Sequence, residues 1–334
     1  MMRLVVLGYG FLGRLLVKVI GRYSREELLL AGVASSRGYV YKERGIGPDE
    51  LTESLVRHPE FREGPPIEML EKARADMAVI LTPTNISTGE PGLTYIRAAL
   101  SSGMDVVTAD KGPLVVAFRE LVSRAESEGL YMCYEATVGG GIPIFSLAKQ
   151  YFRRDRILAV RGILNGTTNY VLSRMHFEGL PLDLALVEAQ RLGIAERDPR
   201  LDLEGVDTAC KIVILANALM GLDKRLTDVE INGITRISSE AMMAAKEMGM
   251  TIKLIGRIEN GSLTVAPRLV RLNHPLCVHG TLNAIQFRSS LLGELTLIGE
   301  GAGSSTVASL VSDIDWILER RGVSKGNLRG GQPL

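Results

Sequence analysis

The sequence has little cysteine, histidine or aromatic side chain: three Cys, four His, one Trp and 5% aromatic residues in 334. Cys133, Cys210 and Cys277 are scattered and form neither a CxxC pair nor a disulfide framework. That excludes a disulfide-stapled scaffold and points to a reducing compartment. His58, His176, His274 and His279 show no metal-ligand spacing. An excess of one charge is missing too, since 39 Lys and Arg face 38 Asp and Glu, which argues against nucleic acid or a membrane surface as partner. No apolar run reaches the ~20 residues needed to span a bilayer. The start, Met1-Met2-Arg3-Leu4-Val5-Val6, passes straight into a strand without the layout of a secretory signal. These absences predict a cytoplasmic protein without membrane contact, and the length predicts two domains.

Glycine, by contrast, is plentiful at 36 residues. Arg3 to Leu7 reads as a short buried strand, followed by Gly8-Tyr9-Gly10-Phe11-Leu12-Gly13 and a helix from Arg14 to about Tyr23. GxGxxG between strand and helix is a dinucleotide-binding context. Gly8 permits the tight turn, Gly10 lets backbone N–H groups approach a pyrophosphate, and Gly13 lets helix and strand pack closely. Phe11 and Leu12 complete the candidate loop, for which an ordinary βα turn is the alternative. The next strand, Leu28 to Ala34, ends where an acid would grip an adenosine ribose, about twenty residues past the loop. Ser35-Ser36-Arg37-Gly38 stands there instead. Small hydroxyls and a guanidinium suit a 2′-phosphate, so NADP is expected over NAD.

From Tyr39 to Pro66 the chain is polar and reads as a crossover with one helix near Glu50 to Arg57. Asp76 to Leu81 is a strand running into Thr82-Pro83-Thr84-Asn85. Ligands lie outside the carboxyl ends of strands in open parallel sheets, which makes Thr82 and Thr84 candidate cofactor contacts. A turn serving local hydrogen bonds is the alternative. A helix (Leu93 to Gly103), a strand (Asp105 to Thr108) opening on Asp110-Lys111-Gly112, a helix (Leu114 to Glu128) and a strand (Tyr131 to Glu135) follow. This alternation predicts an α/β, doubly wound Rossmann domain over residues 1–137.

Gly139-Gly140-Gly141 reads as a hinge into a second domain, residues 138–300. A helix from Ile144 to Phe152 and a strand from Ile157 to Leu164 precede Asn165-Gly166-Thr167-Thr168-Asn169-Tyr170, where Thr167 or Thr168 is expected to cap the next helix. Acids then crowd one stretch, at Glu196, Asp198, Asp202, Glu204 and Asp207. Asp207 and Lys211 stand four apart and share a helical face. The helix onward to Met220 is apolar on nearly every face and is expected to be buried. A lysine at its head needs a carboxylate or a wet cleft. The residues alone leave open whether this is a site or a surface turn with a helix salt bridge. A helix from Ser238 to Met248 comes next, then strand-like runs at Thr251–Glu259, Leu263–Leu272, Asn283–Phe287 and Glu294–Ile298. With Asn260-Gly261 as a hairpin turn, they predict an α+β domain with exposed strands, for which a dimer is the expectation. The glycines of Gly299–Ser305 lead to a helix from Thr306 to about Arg320. Residues 301–321 are expected to pack back on the first domain, with Gly303 near the cofactor. Gly322 to Leu334 is expected to fray.

Along nearly its whole length the chain resembles homoserine dehydrogenases. The likeness rests on Gly8–Gly13, Asp110-Lys111-Gly112, Glu135 to Pro143, Asn165–Tyr170, Glu196 to Lys211, His274-Pro275-Leu276 and Gly301–Gly303, in the order those enzymes use. Glu196 to Lys211 is the most specific of these segments, and the GxGxxG the least. Asp110 departs from the pattern, since many members have Asn before the lysine. The resemblance implies reversible, NAD(P)-dependent reduction of L-aspartate 4-semialdehyde to L-homoserine, a step toward threonine, methionine and isoleucine. It implies Lys211 as the acid that protonates the developing alkoxide, held by Asp207, with Lys111 polarising the same oxygen. Glu196, Asp202, Asp207 and Thr167 would receive the substrate, and Lys111 and Gly303 would also touch the cofactor. It further implies a monovalent cation, sodium, held by Glu135 and the carbonyls of Val138, Gly140 and Ile142; a hinge without an ion is the alternative. No regulatory domain is legible in the sequence, so an enzyme without threonine feedback is expected. Two rival readings stay open: another two-domain dehydrogenase acting on an amino acid such as L-aspartate, and an NADP-binding sensor without activity.

Overall fold

A computed structural model describes residues 1–23 and 26–323. The chain divides into two compact units, Met1–Tyr134 together with the residues from Val307 onward, and Glu135–Thr306. Among the described residues, no helix is long and apolar enough to cross a membrane.

The first unit is built on β1 (Met2–Leu7), where Leu4, Val5, Val6 and Leu7 are all fully buried. Burial on both faces is what a central parallel strand requires, and each such side chain contributes about 1.5–3 kcal/mol. After α1 (Phe11–Ile20) come β2 (Leu28–Ser35), β3 (Gly38–Tyr41), β4 (Arg62–Glu63), α2 (Ile67–Lys72), β5 (Met77–Ile80), α3 (Gly92–Ser101), β6 (Asp105–Thr108), α4 (Lys111–Ser127) and β7 (Met132–Cys133). The sheet order is β4-β3-β2-β1-β5-β6-β7. Strands β2, β1, β5, β6 and β7 run parallel, and β3 and β4 are antiparallel additions at one edge. The strand order reverses beside β1, so the sheet is the doubly wound one expected. The helix Ser305–Arg320 returns to this unit. Tyr23 donates to Asp315 at 2.7 Å, Trp316 packs edge-on against Tyr131, and Arg321 pairs with the buried Asp105.

Two expectations for this unit need correction. Helix α1 begins at Phe11, three residues before Arg14, because Gly10 serves as its N-cap and puts Gly13 inside the first turn. The expected helix near Glu50 to Arg57 is two short 3-10 turns, Pro48–Glu50 and Leu55–Arg57. The polar crossover also holds most of the β3–β4 edge, strands too short to show a periodicity, and α2 follows it. The expectation of fraying at the carboxyl end falls on residues 324–334, which lie outside the described residues.

The second unit runs α5 (Ile144–Tyr151), β8 (Ile157–Ile163), α6 (Gly166–Glu178), α7 (Leu182–Arg191), α8 (Arg200–Leu203), α9 (Val206–Met220), β9 (Val229–Ile231), α10 (Ser239–Glu247), then β10 (Met250–Glu259), β11 (Ser262–Arg271), β12 (Leu282–Ser289) and β13 (Glu294–Glu300). Its sheet order is β13-β12-β8-β10-β11-β9. The β10–β11 hairpin turns at Asn260 and Gly261, both with positive φ (49° and 75°), the geometry that Asn-Gly favours. Helix α9 is buried continuously from Thr208 to Ala216. It packs where Gly256 leaves room on β10, since a Cβ there would lie 2.6 Å from Ile212. Ile255, pointing the opposite way, joins Ile163, Val270, Leu276, Val278 and Ala284 in a cluster on the other face.

Candidate active site

In the first unit the glycine loop has the geometry that a dinucleotide requires. Gly8 takes φ +115°, and a Cβ on it would sit 2.4 Å from the Leu81 carbonyl oxygen. A Cβ on Gly13 would sit 2.0 Å from the Gly8 carbonyl oxygen, so helix and turn touch backbone to backbone. Above Gly10 there is open space, and no side chain caps α1. The N–H groups of its first turn are therefore left to an anion, as at a pyrophosphate site. Phe11 is exposed and Leu12 half-buried beside them. Ser35, Ser36 and Arg37 form the β2–β3 turn. Ser35 Oγ donates to the Gly38 carbonyl at 3.3 Å, and Ser36 and Arg37 are exposed.

At the carboxyl ends of β5 and β6, Asp110 caps α4 by accepting from the Gly112 N–H at 2.9 Å. Its other carboxylate oxygen accepts from Thr82 Oγ1 at 2.7 Å, and the Thr84 hydroxyl also bonds to it. Burial pushes the Asp110 carboxyl up, and these hydrogen bonds and the charge of Lys111 oppose the rise. Thr82 and Thr84 thus both bond to Asp110. Lys111 is the first residue of α4 and is half-buried.

In the second unit, α6, α8 and α9 bring four side chains together. Lys211 projects from the first turns of α9 and is 8% exposed. Its ammonium pairs with Asp207 Oδ2 at 2.8 Å and donates to the Leu164 carbonyl at the end of β8. An ammonium has three hydrogens, and among the described residues no third acceptor takes the remaining one. Asn165 Nδ2 donates to Asp202 Oδ1 at 2.6 Å and to Asp207 Oδ2 at 2.9 Å. Burial and the neighbouring Asp207 charge raise the Asp202 carboxyl, while hydrogen bonds from Asn165 and Thr167 and the charge of Lys211 hold it down. The single Thr167 hydroxyl hydrogen is shared between that carboxylate and the Ile194 carbonyl, 3.2 Å from the hydroxyl oxygen. The remaining acids do not join this group: Asp198 is spent on Arg200 at 2.6 Å, and Glu196 and Glu204 are exposed.

Glu135 is 2% exposed, and its carboxylate accepts from the N–H groups of Ile144, Phe145 and Ser146 at 2.5, 2.8 and 2.7 Å. It therefore neutralises the positive end of α5 from a distance in sequence. The intervening loop reverses through Gly139 and Gly140, with φ +79° and +60°, and the Ile142 carbonyl accepts from Ile144. Gly303, also at positive φ (+86°), is exposed at the turn before the terminal helix. Among the described residues no group of three or more His, Cys, Asp or Glu is arranged to hold a metal ion.

A family model described as homoserine dehydrogenase matches residues 143–314. A homoserine dehydrogenase of Methanocaldococcus jannaschii is 42% identical over 94% of this chain and 97% of its own length. The chain belongs to the homoserine dehydrogenase family. An NAD(+)-dependent homoserine dehydrogenase of Pseudomonas canavaninivorans is 36% identical over 89% of this chain and 82% of its own. A hyperthermophilic archaeal homoserine dehydrogenase solved in complex with NADPH superposes with a TM-score of 0.83 at 25% identity, covering 96% and 98% of the two chains. Within the site, the residue that sequence reasoning passed over is Asn165. The caps expected for α6 were Thr167 or Thr168; the cap is Asn165, accepting from the Thr168 N–H at 2.9 Å. Asn ranks with Asp and Ser at that position, so Asn165 three residues before Thr168 was the available signal.

Proposed function

We propose that this chain oxidises L-homoserine to L-aspartate 4-semialdehyde and reverses the reaction, using NADP. The observation that carries the proposal is the Lys211 ammonium, held by Asp207 and the Leu164 carbonyl with one hydrogen left over. A bound nicotinamide dinucleotide supplies or accepts the hydride. What falls to the protein is the proton. In the reducing direction Lys211 Nζ gives one to the oxygen of the aldehyde as charge develops on it, and in the oxidising direction the same nitrogen takes one from the hydroxyl. Lys111 polarises that oxygen. The substrate's α-ammonium group calls for carboxylates, and Asp202 and Asp207, with the exposed Glu196, supply them, while Thr167 offers a hydroxyl. Gly8, Gly10, Phe11, Leu12 and Gly13 receive the pyrophosphate, Ser35, Ser36 and Arg37 the 2′-phosphate, and Gly303 a further part of the cofactor. Thr82 and Thr84, at the carboxyl end of β5, contact the cofactor.

The all-oxygen set of Glu135, Val138, Gly140 and Ile142 suits a hard monovalent cation such as sodium. What supports it is the chemistry of the donors: a buried carboxylate and, through the reversal at Gly139 and Gly140, backbone carbonyls close to it in the chain. A homodimer is proposed from the second unit, whose edge strand β13 exposes Ile298 at 52% and whose β11 exposes Leu269 at 55%; light scattering reads the mass. The cytoplasm is the compartment that the free cysteines suit.

Steady-state assays test the reading: L-homoserine against L-aspartate, NADP against NAD, with and without sodium. Homoserine-dependent NADP reduction is expected, along with a fall of roughly tenfold or more in the NADP/NAD preference of Arg37→Ala. Oxidation of aspartate in place of homoserine, or an unchanged NADP/NAD ratio in that variant, contradicts it.

A further inference from the structure

Asn165 makes every hydrogen bond that its side chain is able to make. Both Nδ2 hydrogens are donated, to Asp202 and Asp207, and Oδ1 accepts from the N–H of Thr168 at 2.9 Å and lies 3.1 Å from its hydroxyl, whose one hydrogen is shared with the Asn165 backbone carbonyl. An amide so saturated has one orientation and one rotamer. The side chain is 94% buried by its 6% exposure, so none of these bonds is traded for water. Capping α6 needs only Oδ1, and a serine would serve the helix as well. The amide N–H₂ has a different task. It reaches from α6 across to α8 and α9 and joins two carboxylates that are 37 and 42 positions away in sequence. One of them shares its Oδ2 with Lys211.

We propose that Asn165 is a positioning residue for the reaction, clamping Asp202 and Asp207 at a fixed separation so that both stay ionised beside Lys211. Two part-buried carboxylates side by side repel, and without a shared donor one of them relieves the repulsion by taking a proton. The titratable groups facing the amide are Asp202 from α8 and Asp207 and Lys211 from α9; from its own helix, Thr167 and Thr168 contribute hydroxyls. A protonated Asp202 loses its attraction for a substrate ammonium. A displaced Asp207 no longer aims Lys211. The inference rests on the homoserine dehydrogenase reading and deepens it.

The test compares the wild type with Asn165→Ser, which keeps a capping oxygen and loses the bridge, and Asn165→Asp, which keeps shape and cap but has no donor. The pH dependence of kcat/KM for homoserine is measured for each, with NADPH binding by fluorescence and thermal unfolding as controls of folding. In both variants the acid limb is expected to move upward by about one pH unit, since one unit corresponds to the weaker end of a hydrogen bond to a charge. kcat/KM is expected to fall roughly ten- to hundredfold, with NADPH binding retained. An acid limb that stays in place, with kcat/KM within about twofold of the wild type in whichever variant folds, overturns the proposal. Absence of homoserine turnover in the wild type overturns the underlying reading instead, so the two failures are distinguishable.

Discussion

At the scale of single residues, the second unit holds two lysines in contrasting circumstances. Lys211 has a carboxylate within 2.8 Å. Lys253 on β10 is fully buried, with Asn169 Oδ1 at 2.7 Å and Ser173 Oγ at 3.2 Å, both neutral. Burial pushes the Lys253 amine down to about 8 from 10.5. The sign of its effect on stability follows. Below about 8 the amine is charged in both the folded and unfolded chain, and the folded state bears the full cost of a buried charge. Between about 8 and 10.5 the unfolded chain binds more protons than the folded one, so stability rises with pH across that window. The free energy of unfolding of the wild type, measured against that of Lys253→Met in denaturant titrations, is expected to gain about 2–3 kcal/mol between neutral pH and the top of the window. A difference that does not change with pH contradicts this assignment. Lys253 also shows a limit of sequence reading. On paper it is a polar position within an alternating strand, and nothing local announces that α6 will bury it.

Secondary-structure elements were legible in proportion to their length and regularity. The strand Asp105–Thr108 has the bounds expected from its apolar pattern between glycine and a turn. The buried α9 followed from its unbroken apolar run. The β3–β4 edge, with four and two residues, was not legible, because such short strands carry no periodicity, and their antiparallel pairing comes from tertiary context. The glycine loop supports an element-scale prediction that separates folding from binding. Ala at Gly13 would place its Cβ 2.0 Å from the Gly8 carbonyl oxygen, whereas Ala at Gly10 meets nothing within 4 Å. Gly13→Ala is therefore expected to lower the melting temperature and weaken NADP binding together. Gly10→Ala is expected to leave the melting temperature near that of the wild type while weakening NADP binding roughly tenfold, because the methyl stands where the pyrophosphate approaches. Calorimetry and a binding titration on each variant read both quantities. A Gly10→Ala protein that binds NADP as the wild type does would remove the loop from the account.

At the scale of the whole molecule, the doubly wound sheet and the α+β class were readable because the early alternation of strand and helix gives way to helices and then paired strands. The candidate site was readable in part. Asp207 and Lys211 share one helix, so their contact follows from spacing alone, and the crowding of acids marked the region. Which acids converge was not readable. Asp202 and Asp207 both accept from Asn165, far earlier in the chain, while Asp198 folds onto its neighbour Arg200 and Glu196 remains in solvent. Long-range closure of that kind leaves no mark in local sequence. The Glu135 carboxylate is a second instance: the sequence placed it at a strand end and the family resemblance gave it a cation, but its capping of α5 was not legible.

The central claim is that Lys211 Nζ moves the proton as hydride is exchanged with homoserine. Its most direct test is homoserine-dependent reduction of NADP by Lys211→Ala beside the wild type, with NADP binding measured on both. The account predicts that kcat in the variant falls by about 10²- to 10⁴-fold, the range for loss of a general acid–base group, while NADP still binds. Turnover by Lys211→Ala at the wild-type rate would contradict it.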